Sequence, residues 1–223
     1  MYDLQNSSLF ANIGEDDIKK LCECLKARKR KIEKGAFVLR SGDPVSSVYL
    51  ILSGSMHIIN EYFWGDRSII ETMTQYTFFG EAYVFAKSKQ HIVSIVAAED
   101  SVILEMDPTK LFDDCQNNCA CHDQLMLNVV QILSRKIVRL TEKVEHVVQR
   151  TTRDKILSYL SQLMKQSQSS PFTIPYSRQQ LADYLCVDRS ALSHELSKLR
   201  DDGMIRFRKN EFELFIDKDD FFI

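Results

Sequence analysis

Over residues 122–149 the apolar side chains Met126, Val130, Leu133, Ile137, Leu140, Val144 and Val147 recur at alternating intervals of four and three. That spacing keeps one narrow apolar seam on one side of a helix for about seven turns. Arg135, Lys136, Arg139, Glu142, Lys143 and Glu145 fill the flanks, so most of the helix is solvated rather than wrapped in core. A seam this narrow faces another helix, and the expected partner is the same helix of a second copy. The alternative is a long core helix of a single globular domain.

The texture differs on either side of this helix. Residues 8–26 carry Leu9, Phe10, Ile13, Ile18, Leu21 and Leu25 at helical spacing, with Glu15, Asp16 and Asp17 where a helix N-terminus favours negative charge, so one or two short helices are expected. From residue 28 to 107 the runs Phe37-Val38-Leu39, Val48-Tyr49-Leu50-Ile51-Leu52, Met56-His57-Ile58-Ile59, Ile69-Ile70 and Ile92-Val93-Ser94-Ile95-Val96 are β-branched or aromatic. Gly35, Gly42-Asp43-Pro44, Ser53-Gly54, Gly65-Asp66 and Gly80 punctuate them at the intervals of a small β-roll. The basic run Arg28-Lys29-Arg30-Lys31 reads either as a nucleic-acid patch or as a strand edge with solvated lysines. Asp107-Pro108 starts a short helix that takes in Leu111-Phe112.

Beyond the seam a hinge is expected at residues 149–152, with Thr151-Thr152 capping an amphipathic helix through Ile156, Leu157, Leu160, Leu163 and Met164. A Gln- and Ser-rich loop and a short strand, Phe172-Thr173-Ile174-Pro175, follow. Ser177-Arg178-Gln179-Gln180 opens a short helix through Leu181, Ala182 and Leu185; Cys186-Val187-Asp188 is a turn, and Arg189 begins a second helix that Gly203 ends. Helices joined by three residues cross steeply, with the small Ala182 at the crossing. Leu192, Leu196 and Leu199 then face inward while Arg189, Ser190, Ser193, His194 and Ser197 face out. The alternation through Met204 to Arg208, Lys209-Asn210-Glu211 and Phe212 to Ile216 adds a hairpin, making the unit a winged helix-turn-helix.

The 223 residues are more than one usual domain needs, and the natural division is a sensor domain at 1–121, a dimerisation helix and hinge at 122–150 and a winged helix-turn-helix at 151–223. The first residues are neither basic nor apolar, and no run approaches the ~18–20 apolar residues that cross a bilayer, so a cytoplasmic protein without a membrane partner is expected. Six cysteines without a secretion signal read as reduced thiols. Net charge is −2, and from residue 151 onward eleven basic residues face eleven acidic ones, so a DNA-binding surface requires local segregation of charge.

Over essentially its whole length the chain resembles the catabolite-activator and fumarate-nitrate regulator (CRP/FNR) family of bacterial transcription factors. The residues that carry the resemblance are Gly35, Gly42-Asp43, Tyr49-Leu50-Ile51-Leu52-Ser53-Gly54, Phe79-Gly80-Glu81, the long helix, and Ser177-Arg178-Gln179-Gln180-Leu181-Ala182 through Leu199. The resemblance implies an α+β chain: an N-terminal cyclic-nucleotide-binding-like β-roll (double-stranded β-helix), a long dimerisation helix and a C-terminal winged helix-turn-helix. It puts Gly80 and Glu81 where cyclic-nucleotide-binding members meet the sugar and phosphate. Their Arg-Ser pair for the cyclic phosphate falls on His91 and Ile92, and their Thr-Ser pair for the base falls on Leu140-Thr141. Isoleucine donates no hydrogen bond and histidine is not a fixed cation, so cyclic AMP is disfavoured. A small non-nucleotide effector bordered by Phe78, Gly80, Glu81, Tyr83, Val84, His91, Ile92, Leu140 and Thr141 is expected, with a solidly filled roll as the competing arrangement.

Other chemistry is thinner. Cys115, Cys119, Cys121 and His122 cluster, and with Cys22-Glu23-Cys24 invite a metal or redox reading. The family's oxygen sensors, however, use an N-terminal cysteine set that this chain lacks in number and spacing. Helix-packed thiols, flanking a turn at Asn117-Asn118, account for the cluster equally, and no metal or cofactor is expected. His57 and His91 lack the second signal that a haem site needs. No nucleophile elbow, phosphate loop or metalloprotease helix is present, so the chain is not expected to be an enzyme.

The leading reading is a homodimeric regulator of double-stranded DNA that recognises an approximate inverted repeat; contact with RNA polymerase belongs to the same picture. Arg189 is expected to fork onto a guanine edge, with Ser190, Ser193 and His194 beside it and Ser177, Arg178, Gln179 and Lys198 on phosphates. Ser190 and His194 stand where well-known relatives carry Glu and Arg, so a different operator sequence follows. The alternatives are a ligand-binding or protein-interaction module without specific DNA binding, and a redox or metal sensor built on the cysteines.

Overall fold

The structure, a computed structural model, describes residues 3–62, 67–111, 120–167 and 169–215. The chain forms two compact units, Met1–Ser134 and Arg135–Ile223. In the first, two 3-10 turns at Leu4–Asn6 and Ser8–Phe10 precede helix α1 (Glu15–Cys24), whose first turn carries the three expected acids. Strands β1 (Arg28–Ile32), β2 (Phe37–Leu39), β3 (Val48–Ser53), β4 (Met56–Glu61), β5 (Arg67–Met73) and β6 (Phe78–Phe79) follow. Then come the short helix α2 (Glu81–Phe85) and strands β7 (Ser94–Ala97) and β8 (Ser101–Met106). They pair antiparallel into two sheets, β1-β8-β3-β6 and β2-β7-β4-β5.

Strand β3 shows why its sequence is an unbroken apolar run. Val48, Leu50 and Leu52 pack outward with α1 and the N-terminal turns, while Tyr49 and Ile51 point between the sheets. Both faces are buried, so no polar residue alternates. Gly54 ends the strand at φ 85, and a Cβ there would lie 2.8 Å from the Ser101 Cβ, so only glycine lets the turn close on β8. The basic strand β1 lies at a sheet edge, with Arg30 paired to Glu105 at 3.1 Å and Lys29 and Lys31 exposed, the arrangement that blunts an edge. The run expected to begin at Ile92 becomes a strand only at Ser94. The His91 backbone is taken by Asp43 and Gly42, which leaves Ile92 outside the ladder. The short helix after Asp107 is a 3-10 turn, Pro108–Leu111; Gly65-Asp66, Phe112, Cys115, Asn117-Asn118, Cys119 and Ile216 lie outside the described residues.

Helix α3 spans Ala120–Val147. Its first turns belong to the roll's core through Leu125 and Val129. Asn128, 2% exposed, donates to the Leu9 and Ala11 carbonyls at 3.0 and 2.8 Å and accepts from Gln124. It ties the N-terminal turns to α3 by satisfying carbonyls that form no helix or sheet bond. Asn128→Ala is expected to destabilise the unit by about 2–3 kcal/mol, since the buried Leu9 carbonyl loses its donor. Thermal melting should fall by about 5–10 °C; an unchanged melting temperature would mean that water replaces the amide at no cost.

The second unit comprises the end of α3, α4 (Thr152–Ser167), β9 (Phe172–Thr173), α5 (Arg178–Leu185), α6 (Arg189–Asp201), β10 (Ile205–Arg208) and β11 (Glu211–Leu214), the three strands in order β10-β11-β9. Thr151 caps α4, accepting from the Asp154 amide at 3.1 Å. Ile156, Leu160, Leu181, Ala182, Leu185, Leu192, Leu196, Leu199 and Phe212 form one core.

Candidate nucleic-acid interface

Local chemistry sets the two helices of the reader. Ser177 Oγ accepts from the Gln180 amide at 3.3 Å while Gln180 Oε1 accepts from the Ser177 amide at 2.9 Å, a reciprocal cap that fixes where α5 begins. Cys186 ends α5 in the left-handed region at φ 53, turning the chain into α6. Leu192, Leu196 and Leu199 are buried, so the opposite face of α6 is outward by its period. Ser177, Gln179, Arg189, Ser190, Ser193, His194 and Lys198 are all exposed. Arg178 is not: it is half-buried, and its guanidinium turns to the hairpin β10-β11 rather than to solvent.

Part of the acidic charge of the unit is taken up within it. Arg153 takes up Glu195 at 3.3 Å and Asp202 at 2.8 Å, and Arg200 takes up Asp201 at 2.9 Å. Among the described residues Arg189, Lys198, Arg208 and Lys209 have no carboxylate within ion-pair distance. These four cations lie on α6 and the hairpin tip. The last two are read from the sequence only as parts of the hairpin, not as contacts to DNA.

The end of α3 is fastened to this unit. His146 is buried, its Nδ1 2.8 Å from Ser158 Oγ, and its ring lies 5.6 Å from Tyr159 and 6.2 Å from Tyr184. The Tyr176 ring lies tilted against Tyr184 with centroids 5.1 Å apart, and the Lys143 ammonium sits 5.5 Å from the Tyr184 ring. Burial, reinforced by Tyr176, pushes the Tyr184 phenol up to about 12, and burial drives Tyr159 further still, so both stay neutral. The break between α3 and α4 falls at residues 148–151, and these side chains span it. Nothing in the seam pattern pointed to this cluster.

On α3 the apolar stripe is real but rotated from the spacing alone. Val130, Ile137, Leu140 and Val144 are exposed, Ile137 and Leu140 at 63% and 62%. Met126 and Leu133 instead pack partly on the roll's own core, because the first turns of the helix are held there by Leu125 and Val129. Val147 is half-buried. Leu127 and Val148, missed in the sequence, are 50% and 65% exposed and continue the stripe through Val130, Ile137 and Val144.

In the roll, Gly80 adopts φ 88, and a Cβ there would stand 3.1 Å from the Ser47 carbonyl and 3.2 Å from the Tyr49 ring. The positive φ favours glycine, and a side chain there would also crowd the Tyr49 ring. Glu81 is buried at the start of α2. Phe78, expected at the pocket, faces the helix-side core opposite Leu50. Its neighbour Phe79 points between the sheets and stacks on Tyr49 at 5.0 Å, as strand alternation demands. Val84 likewise packs against the helix-side core. His91 is buried under Tyr83, ring to ring 4.8 Å, with Nδ1 unpartnered. Burial pulls its pKa down, only partly offset by Asp43. Ile92 is 72% exposed. Leu140 and Thr141 belong to the second unit and are exposed there.

His57, His122 and Cys22 have ordinary surroundings. His57 bonds Thr72 across β4-β5 at 3.0 Å, and His122 Nε2 lies 3.3 Å from the Lys110 carbonyl. Burial raises the Cys22 thiol pKa, which makes it less reactive. Among the described residues no three His, Cys, Asp or Glu side chains converge as metal ligands, and no helix is long and apolar enough to cross a membrane.

Two short helices with a hairpin, preceded in the chain by a long helix and a two-sheet roll, are the elements of a helix-turn-helix regulator. Residues 29–118 match the cyclic nucleotide-binding domain and residues 154–217 the Crp-like helix-turn-helix domain. The anaerobic regulatory protein of Bacillus subtilis is 22% identical over 87% of this chain and 82% of its own. The CRP-like protein Clp of Xanthomonas campestris is 23% identical over 85% and 84%. Among solved structures, the c-di-GMP responsive regulator CLP of Xanthomonas campestris has a TM-score of 0.57 at 22% identity, covering 89% of this chain and all of its own. CprK complexed with OCPA has a TM-score of 0.66 at 13% identity, covering 90% and 92%. The chain belongs to the CRP/FNR family and is a DNA-binding transcription regulator.

Proposed function

We propose that the regulator works as a homodimer paired along α3, reads an approximate inverted repeat with two copies of α6, and is controlled by a small molecule in the roll that is not a cyclic nucleotide. Functionally the chain divides into a sensor at residues 1–121, a dimerisation helix and hinge at 122–150 and a reader at 151–223. The exposed stripe of Leu127, Val130, Ile137, Leu140, Val144 and Val148 supports pairing, since a solvated protomer gains nothing from six apolar side chains in water. Two-fold symmetry then spaces the two α6 helices about 34 Å apart, one turn of B-DNA. Arg189, at the first position of α6, is the residue best suited to a guanine edge, with Ser190, Ser193 and His194 for the neighbouring bases and Ser177, Gln179 and Lys198 for phosphates.

The observation that carries the effector reading is at the cassette. The position where cyclic-nucleotide-binding members place a fixed cation holds His91, buried and with a depressed pKa, hence neutral near pH 7; the next position holds an exposed isoleucine. Neither can neutralise a cyclic phosphate. Glu81, Tyr83 and the unpartnered His91 Nδ1 are polar groups of the cassette, and Gly80 approaches the Tyr49 ring that stacks on Phe79, a set that suits a small aromatic or carboxylic metabolite. Relatives of this fold are described as c-di-GMP responsive and as complexed with OCPA, so the scaffold serves more than one ligand chemistry. Titration calorimetry with cyclic AMP and cyclic GMP is expected to give no heat at millimolar ligand. Micromolar binding of either, abolished in His91→Ala, would overturn this assignment.

A further inference from the structure

Arg178 occupies the first turn of α5, where a basic side chain would ordinarily be free to reach a DNA phosphate. Here its Nη2 donates to the Lys209 carbonyl at 3.0 Å, and its guanidinium carbon sits 5.0 Å from the ring centroids of both Phe207 and Phe212. Those rings are a cross-strand pair of the hairpin, stacked at 5.3 Å. Burial pulls the Arg178 pKa down, and Nη1 is buried without a partner. The planar fork that would grip a phosphate is therefore spent on the wing.

The wing tip needs holding. It turns in two residues, Lys209-Asn210, and Lys209 stands at φ 55, a region that a lysine rarely adopts. Both turn carbonyls are captured from outside the hairpin: Lys209 by Arg178, and Asn210 by the Ile174 amide at 2.8 Å. The side chains thus presented, Arg208 and Lys209, are exposed and have no carboxylate partner among the described residues. We propose that Arg178 is a positioning residue that fixes the wing tip so that Arg208 and Lys209 meet the DNA backbone, and that it makes no phosphate contact itself. The proposal rests on α6 entering a DNA groove beside the wing.

The test is fluorescence anisotropy of the full-length protein on a random-sequence duplex across a salt series. Four forms are compared: wild type, Arg178→Ala, a wing variant combining Arg208→Gln with Lys209→Asn, and the combination of all three. Asparagine is chosen at 209 because it tolerates positive φ. Each neutralised phosphate contributes about 0.9 to the salt slope, so losing two cations in each of two wings lowers it by between about three and four units. Arg178→Ala is expected to give most of that loss although it removes one charge per protomer, and to cost nothing further in the wing variant. If it instead lowers the slope by about two units in both backgrounds, Arg178 binds phosphate directly and the proposal fails. Arg178→Lys separates fork from charge: wild-type binding by the lysine variant would also overturn the role, and it serves in the same cycle if the alanine variant does not fold. Absence of any binding by wild type would count against the groove reading itself, not against the role of Arg178.

Discussion

Ile137→Asp is expected to sediment as a monomer at micromolar concentration and to lose high-affinity DNA binding with its fold intact. Ile137 is 63% exposed in the protomer, so an aspartate there leaves that protomer's own packing undisturbed. In the dimer the two symmetry-related carboxylates would face each other inside an apolar seam, each a buried charge without a partner, at a cost of several kcal/mol. Neighbouring Val130 and Val144 lie seven residues to either side on the same stripe and offer no compensating cation. DNA affinity should fall more than dimer affinity alone implies, because a monomer engages one half-site and forfeits the gain from tethering two readers. A dimer that persists in this variant would mean that copies associate through another surface.

Arg189→Ala is expected to remove preference for the operator over random duplex while leaving dimer and melting temperature unchanged. The residue is exposed at the first position of α6 and among the described residues has no ion pair to lose. A bidentate contact to guanine O6 and N7 is worth about 1–3 kcal/mol of discrimination, and a dimer would use two copies, so selectivity should fall by between about thirtyfold and about twenty-thousandfold. Binding to random duplex should weaken only modestly. Competition between operator and random duplex reads the ratio; an unchanged ratio would show that Arg189 touches no base.

What could be read from the sequence follows from how local each cause is. The run Val48-Tyr49-Leu50-Ile51-Leu52 announces a strand buried on both faces, and Ser177 with Gln180 announces a helix start, because each pattern is complete within a few residues. The long helix was legible for the same reason. Which of its apolar side chains stay exposed was not: two adjacent stripes satisfy a four-three spacing, and which one is free depends on Leu125 and Val129 docking onto the roll, a contact far away in the chain. Phe78 and Phe79 pose the same difficulty, since adjacency fixes that one points in and one out, but only pairing with Leu50 and Tyr49 decides which. Arg178 matches the reader's motif by position, yet its direction is set by Lys209, Phe207 and Phe212, some thirty residues on. At the cassette, His91 and Ile92 were placed by resemblance; their burial and exposure depend on Asp43 and Gly42 holding the backbone from another loop.

The most direct measurement is selection of binding sites by the full-length protein from a pool of random duplexes at near-physiological salt, with sequencing of what is retained. The proposed dimeric reader should enrich an approximate inverted repeat whose half-site centres lie about one helical turn, 10–10.5 base pairs, apart. Its sequence should differ from that of relatives carrying Glu and Arg where this chain has Ser190 and His194. Enrichment of isolated half-sites, or of no sequence at all, would contradict a symmetric dimer that reads bases through α6.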